Sequence, residues 1–257
     1  MTPFSQLYVH LPGSQREKRL GEFIAQGWAP EIALQAQDLD TDFDFVGIRR
    51  QLEQAGLCCC IHAPFFDLNP ASSDPDISGI TAHRFFQTLG AAEKLGASHI
   101  VFHPGYDPWR YARAPESWLE YSLEFWPQMI QHAAAANIVL CLENIFENDP
   151  GYLLDLLRKL DSPYLRHCFD IGHWFLFSKL PIAEWLERFA PFLHHLHLHD
   201  NRGRKDDHRP IGKGKIDFPA FFAELERLDL QPTATLEAHR HKDAQASLSA
   251  LQQILDQ

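Results

Sequence analysis

Hydrophobic and polar positions follow two alternating patterns along the whole chain. Short apolar runs of four to eight residues are each followed by a stretch with an apolar residue at every third or fourth position. Runs of the first kind are typical of buried strands, and stretches of the second kind are typical of amphipathic helices. The order repeats eight times. We predict strands over residues 7–10, 30–34, 57–62, 98–103, 138–143, 165–170, 192–199 and 233–237.

A predicted helix follows each of these strands. Gly56 and Gly96 end two of the helices, and Pro115 fits the first turn of another. Eight strand–helix units of about 30 residues, with no linker between them, predict one (β/α)8 TIM barrel over residues 1–257. An open doubly wound sheet is the alternative, but no glycine-rich phosphate-binding motif follows the first strand. The predicted helices span residues 16–26, 45–54, 77–95, 115–136, 150–160, 182–189, 218–228 and 244–255.

Composition narrows the classes of function. The chain is 45% hydrophobic, enough for a large core, and its formal net charge of −11 argues against general affinity for nucleic acid or an anionic membrane. No apolar run is long enough to cross a bilayer, and Met1–Gln6 lacks the features of a signal peptide. The five cysteines show no CxxC spacing, so we expect reduced core thiols and a cytoplasmic location. A homo-oligomer is left open.

Histidine is unusually frequent, with 15 residues, and the seventh strand concentrates it. Strand alternation places His195, His197 and His199 on one face. A row of buried imidazoles is costly unless each ring has a partner, and a metal ion is a partner that suits several at once. The loop that follows is basic and contains Asp206-Asp207-His208. From this stretch alone, a solvated loop behind hydrogen-bonded histidines is an equal alternative.

Candidate metal ligands also occur at the ends of the other strands. In a barrel of this kind the active site lies at the carboxyl ends of the strands. Carboxylates packed together repel each other unless a cation joins them, so convergence of these side chains predicts a metal site. The strand-end residues are His62, His103, Glu143, Asp170, His197 and Glu237, and His173, Asp206 and His208 follow in the loops.

The motifs that contain these residues resemble those of the xylose isomerase-like TIM-barrel superfamily. That superfamily comprises sugar and sugar-phosphate isomerases and epimerases together with zinc-dependent abasic-site endonucleases. The resemblance covers nearly the whole chain, in order. Its motifs are His62-Ala63-Pro64, His103-Pro104-Gly105, Leu142-Glu143-Asn144, Phe169-Asp170-Ile171-Gly172-His173, His197-Leu198-His199-Asp200 and Leu236-Glu237.

The two branches of the superfamily imply different uses of one ligand set. The isomerase branch implies a single divalent ion held by Glu143, Asp170, His197 and Glu237. It also implies that Glu143 and Glu237 are the catalytic acid/base pair and that His173 contacts a substrate hydroxyl. The endonuclease branch implies three zinc ions, held by all nine residues. The first would bind His62, His103 and Glu143, the second Glu143, Asp170, His197 and Glu237, and the third His173, Asp206 and His208.

The surroundings favour the isomerase branch. An endonuclease must grip the phosphates of a duplex, and acidic loops on one side of the mouth would oppose that grip. On the other side, Arg204 and Arg209 suit one phosphate or carboxylate of a small molecule, although a solubilising loop is the alternative. Trp109, with Tyr106 and Tyr111, could cover a sugar ring. The acidic residues are Asp38, Asp40, Asp42, Asp44, Asp67, Asp74, Asp76, Glu147 and Asp149.

Two buried-strand residues complete the set of candidates. His10 at the end of the first strand is a candidate substrate contact or second-layer residue, and Glu31 inside the second strand is a candidate second-layer residue, with core hydrogen bonding as the alternative for both.

We therefore expect a zinc- or manganese-dependent isomerase or epimerase of a small sugar or sugar phosphate, with one to three bound ions. Proton transfer by Glu143 and Glu237 would pass through a metal-stabilised enediolate. A zinc-dependent abasic-site endonuclease is the alternative enzyme. A non-catalytic metal- or sugar-binding protein on the same fold is a third possibility, against which the two glutamates count.

Overall fold

Eight parallel strands close into a barrel in which each strand pairs with its neighbours in sequence and β1 pairs with β8. This is a computed structural model that describes residues 3–41, 43–238 and 240–256. The predicted (β/α)8 fold is confirmed. The strands are β1 (Gln6–Pro12), β2 (Ala29–Ala33), β3 (Cys60–His62), β4 (His99–Phe102), β5 (Val139–Glu143), β6 (Leu165–Asp170), β7 (Leu193–Leu198) and β8 (Thr233–Leu236).

Within the described residues, two short α-helices occur in addition to those predicted. One lies in the acidic loop after β2, and the other begins directly at the end of β6. The first has four residues, and the second, IGHWFLF, is apolar at most positions, so neither shows a helical period. The helices are α1 (Arg16–Gln26), α2 (Ala36–Leu39), α3 (Phe45–Gln54), α4 (Pro75–Leu95), α5 (Pro115–Ala136), α6 (Gly151–Leu160), α7 (Ile171–Phe177), α8 (Ile182–Phe189), α9 (Phe218–Arg227) and α10 (His241–Leu255).

The main hydrophobic core lies between the strands and the helices, where Trp118, Trp126 and Trp185 are fully buried. The inside of the barrel is different. Its buried side chains include Glu31 and a series of histidines, and its apolar residues form small separate clusters. Since buried polar groups need partners, the barrel interior depends on hydrogen bonds as well as on packing.

All five cysteines are free thiols. Four of them are buried, as expected, but Cys58 is exposed. Strand β3 begins at Cys60, so Cys58 and Cys59 precede it instead of lying within it as predicted. Within the described part of the chain, no helix combines the length and the apolar character needed to cross a membrane.

Candidate metal centre

The nine predicted ligands meet at the carboxyl ends of the strands, in one connected network. Strand register places Asp170 and His197 side by side on β6 and β7. The nitrogen–oxygen distances that join the nine side chains lie between 3.1 and 3.7 Å. The network contains four carboxylates and five imidazoles, which is the mixture of ligands that zinc and manganese sites use.

At the centre of the network is one nitrogen of His197. The ring is fully buried, and its Nδ1 lies 3.5 Å from Glu143 Oε1, 3.7 Å from Asp170 Oδ2 and 3.5 Å from Glu237 Oε2. Among the described residues, this Nδ1 has no hydrogen-bond partner. A buried nitrogen without a partner is costly, and three carboxylate oxygens around it repel one another. A cation bound by these four atoms would remove both costs, so the donor set fits a divalent metal.

Two further groups of ligands adjoin this centre. On one side, His62 Nε2 and His103 Nε2 lie 3.3 and 3.4 Å from the second oxygen of Glu143. The rings of these two histidines are 5.1 Å apart. Two histidine nitrogens and one carboxylate oxygen therefore lie close enough together to be ligands of one ion.

On the other side, Asp206 joins two histidines. His173 Nε2 and His208 Nδ1 each lie 3.3 Å from one of its carboxylate oxygens. The second nitrogen of His208 lies 3.3 Å from Glu237 Oε2, which links this group to the centre. The structure thus also brings together the residues of the three-ion arrangement.

His199 is a tenth member of the network that the predicted ligand set did not include. Its Nε2 lies 3.1 Å from both carboxylate oxygens of Asp170 and 3.8 Å from Glu237 Oε2. Its ring stacks on that of His208, with centroids 4.0 Å apart. Strand alternation already placed His199 on the same face as His197, and that was the signal available in the sequence.

Asp170 and Gly172 explain why the chain turns as it does at this point. Asp170 ends β6 and caps α7, and its Oδ1 accepts the backbone N–H of His173 at 2.6 Å. This hydrogen bond holds His173 beside the network. A Cβ on Gly172 would lie 2.0 Å from Cε1 of His199, so only glycine leaves space for that ring.

Asp200 holds the loop that carries Asp206 and His208. Its buried carboxylate accepts the backbone N–H groups of Gly214, Lys215 and Ile216 at 2.7, 3.1 and 3.2 Å. Its backbone also pairs with that of Arg209, in both directions. The long loop after β7 is thereby fixed over the mouth of the barrel.

Opposite charges in the network shift one another's protonation. Burial raises the pKa of Glu143 and of Glu237. The neighbouring histidines outweigh burial, His197 foremost for Glu143 and His208 followed by His197 for Glu237, and hold the pKa of each carboxyl well below its usual range. Burial lowers the pKa of His208, but the charges of Glu237 and Asp206 outweigh burial and raise this pKa to about 9. Metal ligation needs neutral imidazoles, so a bound cation would replace protons on these rings.

The predicted substrate-binding residues are distributed unevenly. Arg209 lies 3.0 Å from Asp207 and lines a cavity of about 460 Å³ beside Asp206 and His208, with Arg240 and Asp243 on its wall. Arg204 is exposed, and Trp109 is 91% exposed, so the structure does not bring either into the network.

His10 and Tyr111 are buried, and Tyr106 is partly buried. His10 is buried on β1, opposite Glu31 in the strand register. Tyr111 is also buried, and its hydroxyl contacts Asn69 and Ala71. Its ring stacks with that of Tyr106, so this pair packs the β4 loop instead of presenting free faces to a sugar.

The acidic side of the mouth differs from the sequence-based expectation. Asp38 and Glu147 are buried and accept backbone N–H groups, so they do not face incoming DNA. Three other carboxylates accept backbone N–H groups at the starts of helices, and Asp42 lies outside the described residues. The expected repulsion of a duplex from this side therefore has no contribution from exposed carboxylates at Asp38 and Glu147. The residues at helix starts are Asp44, Asp74 and Asp149.

Comparisons with known proteins show which sequences and folds this chain resembles. The family model described as xylose isomerase-like TIM barrel matches residues 25–254. The TTHB071 protein of Thermus thermophilus, from a crystal soaked with zinc chloride, is 32% identical, with 98% of each chain covered and a TM-score of 0.83. A D-tagatose 3-epimerase-like protein shares the fold at 24% identity, with 97% of each chain covered and a TM-score of 0.86. A probable endonuclease 4 of Thermoplasma acidophilum is 27% identical over 175 residues, which are 61% of this chain and 58% of that protein.

Proposed function

The chain belongs to the xylose isomerase-like TIM-barrel family, and from that membership we propose that it is a divalent-metal-dependent isomerase or epimerase of a small sugar or sugar derivative. The observation that carries the proposal is the position of His197 Nδ1 among Glu143, Asp170 and Glu237. This set is complete for one ion, and it contains two glutamates that can transfer protons. The epimerase-like structures that share the fold support the same class of reaction.

Glu143, Asp170, His197 and Glu237 would hold the ion, which we propose to be zinc or manganese. When bound, it would polarise a substrate carbonyl and the neighbouring hydroxyl and would stabilise the charge of the enediolate. Nitrogen and carboxylate ligands suit both metals. His173, which contacts Glu143 and Asp206, is the proposed donor to a substrate hydroxyl.

Glu143 and Glu237 are the proposed acid/base pair. Glu143 ends β5 and Glu237 follows β8, so Asp170 and His197 on β6 and β7 lie between them and the two carboxylates approach from two sides. Their low pKa values keep both ionised at neutral pH, so either can accept the proton of the C–H bond next to the carbonyl. Return of the proton by one or the other glutamate would decide whether configuration is retained or inverted.

The cavity beside Asp206 and His208 is the proposed place for the rest of the substrate. Its volume of about 460 Å³ lies in the range of small-molecule sites. Two arginine–aspartate pairs, Arg209 with Asp207 and Arg240 with Asp243, offer both donors and acceptors there. Such a lining suits the hydroxyls of a sugar, and the two guanidinium groups would also bind an acidic substituent.

The test is exchange of the reacting C–H proton with solvent. Aldoses, ketoses and their phosphates would be incubated in D2O with the protein loaded with zinc, manganese or cobalt, and deuterium uptake would be followed by NMR. Glu143→Gln and Glu237→Gln should each slow the exchange by roughly 10²–10⁴-fold with little loss of sugar binding, because they remove the proton acceptor.

Glu120→Gln, at an exposed position on α5, is the matched control and should leave exchange unchanged. Undiminished exchange in either site variant would refute the acid/base assignment. Sugar binding without any exchange in the wild type would identify a binding protein instead of an enzyme.

A trinuclear phosphodiesterase is the second candidate, because the two outer ligand groups are also assembled. His62 and His103 on one side, and Asp206 with its two histidines on the other, would not bind metal in a one-ion site. The similarity to a probable endonuclease 4 supports this alternative. Metal content per chain separates the two, since the isomerase needs one ion and the phosphodiesterase needs three.

A further inference from the structure

Glu31 lies inside the barrel, beneath His197, and is fully buried. One of its carboxylate oxygens, Oε2, collects all of its described hydrogen bonds. The Thr235 hydroxyl donates to this oxygen at 2.8 Å, and the Nε2 atoms of His195 and His197 lie 3.2 and 3.3 Å away. The thiol of Cys60 donates to the same oxygen at 3.6 Å.

These contacts show Glu31 Oε2 acting as a hydrogen-bond acceptor. The Thr235 hydroxyl and the Cys60 thiol both donate to it. A buried carboxylate oxygen needs such donors around it. The nitrogen of His197 that faces this acceptor is Nε2, so His197 donates to Glu31 through an Nε2–H group.

That hydrogen bond decides which nitrogen of His197 faces the metal centre. A neutral imidazole carries one proton, so a proton on Nε2 leaves a lone pair on Nδ1. Nδ1 is the nitrogen that lies among three carboxylate oxygens with no hydrogen-bond partner in the described chain. Glu31 therefore contacts one nitrogen of the His197 ring, and the three carboxylates surround the other. A role for Glu31 in the core alone would not explain why the two nitrogens are divided in this way.

We propose that Glu31 is the positioning residue of the metal centre, which fixes the Nε2–H form of His197 and presents its Nδ1 to the ion. The inference rests on the metal centre of the proposed function. Carboxylates that orient a metal-bound histidine also make it a stronger ligand, and their loss typically costs 10–100-fold in metal affinity. Because His195 and His197 contact the same oxygen, Glu31 also couples the centre to the interior of the barrel.

The experiment measures zinc affinity by competition with a chelator. Glu31→Gln keeps the size of the side chain and removes its charge, so zinc affinity should fall by roughly 10–100-fold. Asp38→Asn is the matched control, because it also replaces a buried carboxylate by its amide, at a side chain that accepts the backbone N–H of Gln35 and has no described contact with a proposed metal ligand. Its zinc affinity should equal that of the wild type.

A second measurement does not depend on the variant folding. In the zinc-loaded wild-type protein, nitrogen-15 NMR should find the proton of His197 on Nε2, protected from exchange with water by its bond to Glu31. Ligation through Nε2, or an unchanged affinity in Glu31→Gln, would overturn the proposal.

The proposed function fails separately. A protein whose zinc affinity depends on Glu31 but that exchanges no sugar proton would refute the isomerase and leave the role of Glu31 standing. A protein that exchanges the sugar proton but whose zinc affinity does not change in Glu31→Gln would support the isomerase and refute the role of Glu31.

Discussion

At the scale of single residues, almost every buried charge near the mouth of the barrel has an opposite charge beside it, and Glu147 is an exception. Its Oε2 accepts the backbone N–H of Ile145 at 2.5 Å, and within the described chain its Oε1 has no partner. With no cation in contact, burial dominates and raises the pKa of Glu147 to about 7. This carboxyl is therefore partly protonated near neutral pH, whereas Glu143 and Glu237 are ionised.

The raised pKa of Glu147 predicts a pH-dependent stability change. A carboxyl whose folded pKa lies above its unfolded value favours folding below the unfolded pKa and loses that contribution as pH rises through about 7. Glu147→Gln resembles the protonated form. It should stabilise the protein by up to about 3 kcal/mol at pH 8 and have little effect at pH 4.5. Urea unfolding at both pH values checks this, and an equal effect at the two would contradict it.

At the scale of elements, the strands could be predicted from short apolar runs and the long helices from the spacing of their apolar residues. The strand-end ligands followed from the rule that the carboxyl ends of parallel strands lie at one edge of the barrel. What the sequence could not reveal depends on contacts between distant residues. The hydrogen bonds of Asp200 to residues 14 to 16 positions away leave no periodic trace. The same holds for the packing of His199 over α7, which was missed together with that helix.

The close approach of α7 to β7 predicts that Gly172→Ala is harmful. The added methyl group would overlap the ring of His199, so this histidine or the start of α7 must move. Overpacking of this kind typically costs about 1–3 kcal/mol, and we also expect weaker zinc binding because His199 and Asp170 separate. Thermal unfolding and chelator competition measure the two effects.

Gly79→Ala on the exposed side of α4 is the control for that substitution. A Cβ at Gly79 would have no atom within 4 Å, and alanine favours the helix, so stability should stay unchanged or rise slightly. Equal behaviour of the two variants would show that the contact between Gly172 and His199 does not constrain the site.

At the scale of the whole molecule, charge separates the two candidate reactions. The net charge of −11 opposes a polyanion, and a duplex is held mainly by several phosphate contacts. Two of the predicted acidic residues, Asp38 and Glu147, are buried, so the free charge on the basic side of the mouth also matters. There Arg209 and Arg240 each pair with an aspartate, so the lining of the cavity offers little free positive charge. One acidic substituent of a small sugar needs to displace only one aspartate from its arginine, whereas a duplex would need several free cations for its phosphates.

We therefore predict no cleavage of an oligonucleotide duplex that carries one abasic site, even at low salt, where phosphate contacts are strongest. The protein would be loaded with three equivalents of zinc, so that a missing ion could not explain the result, and nicking would be followed on a denaturing gel. A known abasic-site endonuclease under the same conditions confirms that the substrate is intact. Zinc-dependent nicking at the abasic position that is abolished by Glu143→Gln would refute the isomerase and establish the trinuclear phosphodiesterase, because that reaction uses the outer histidines and Asp206 as metal ligands.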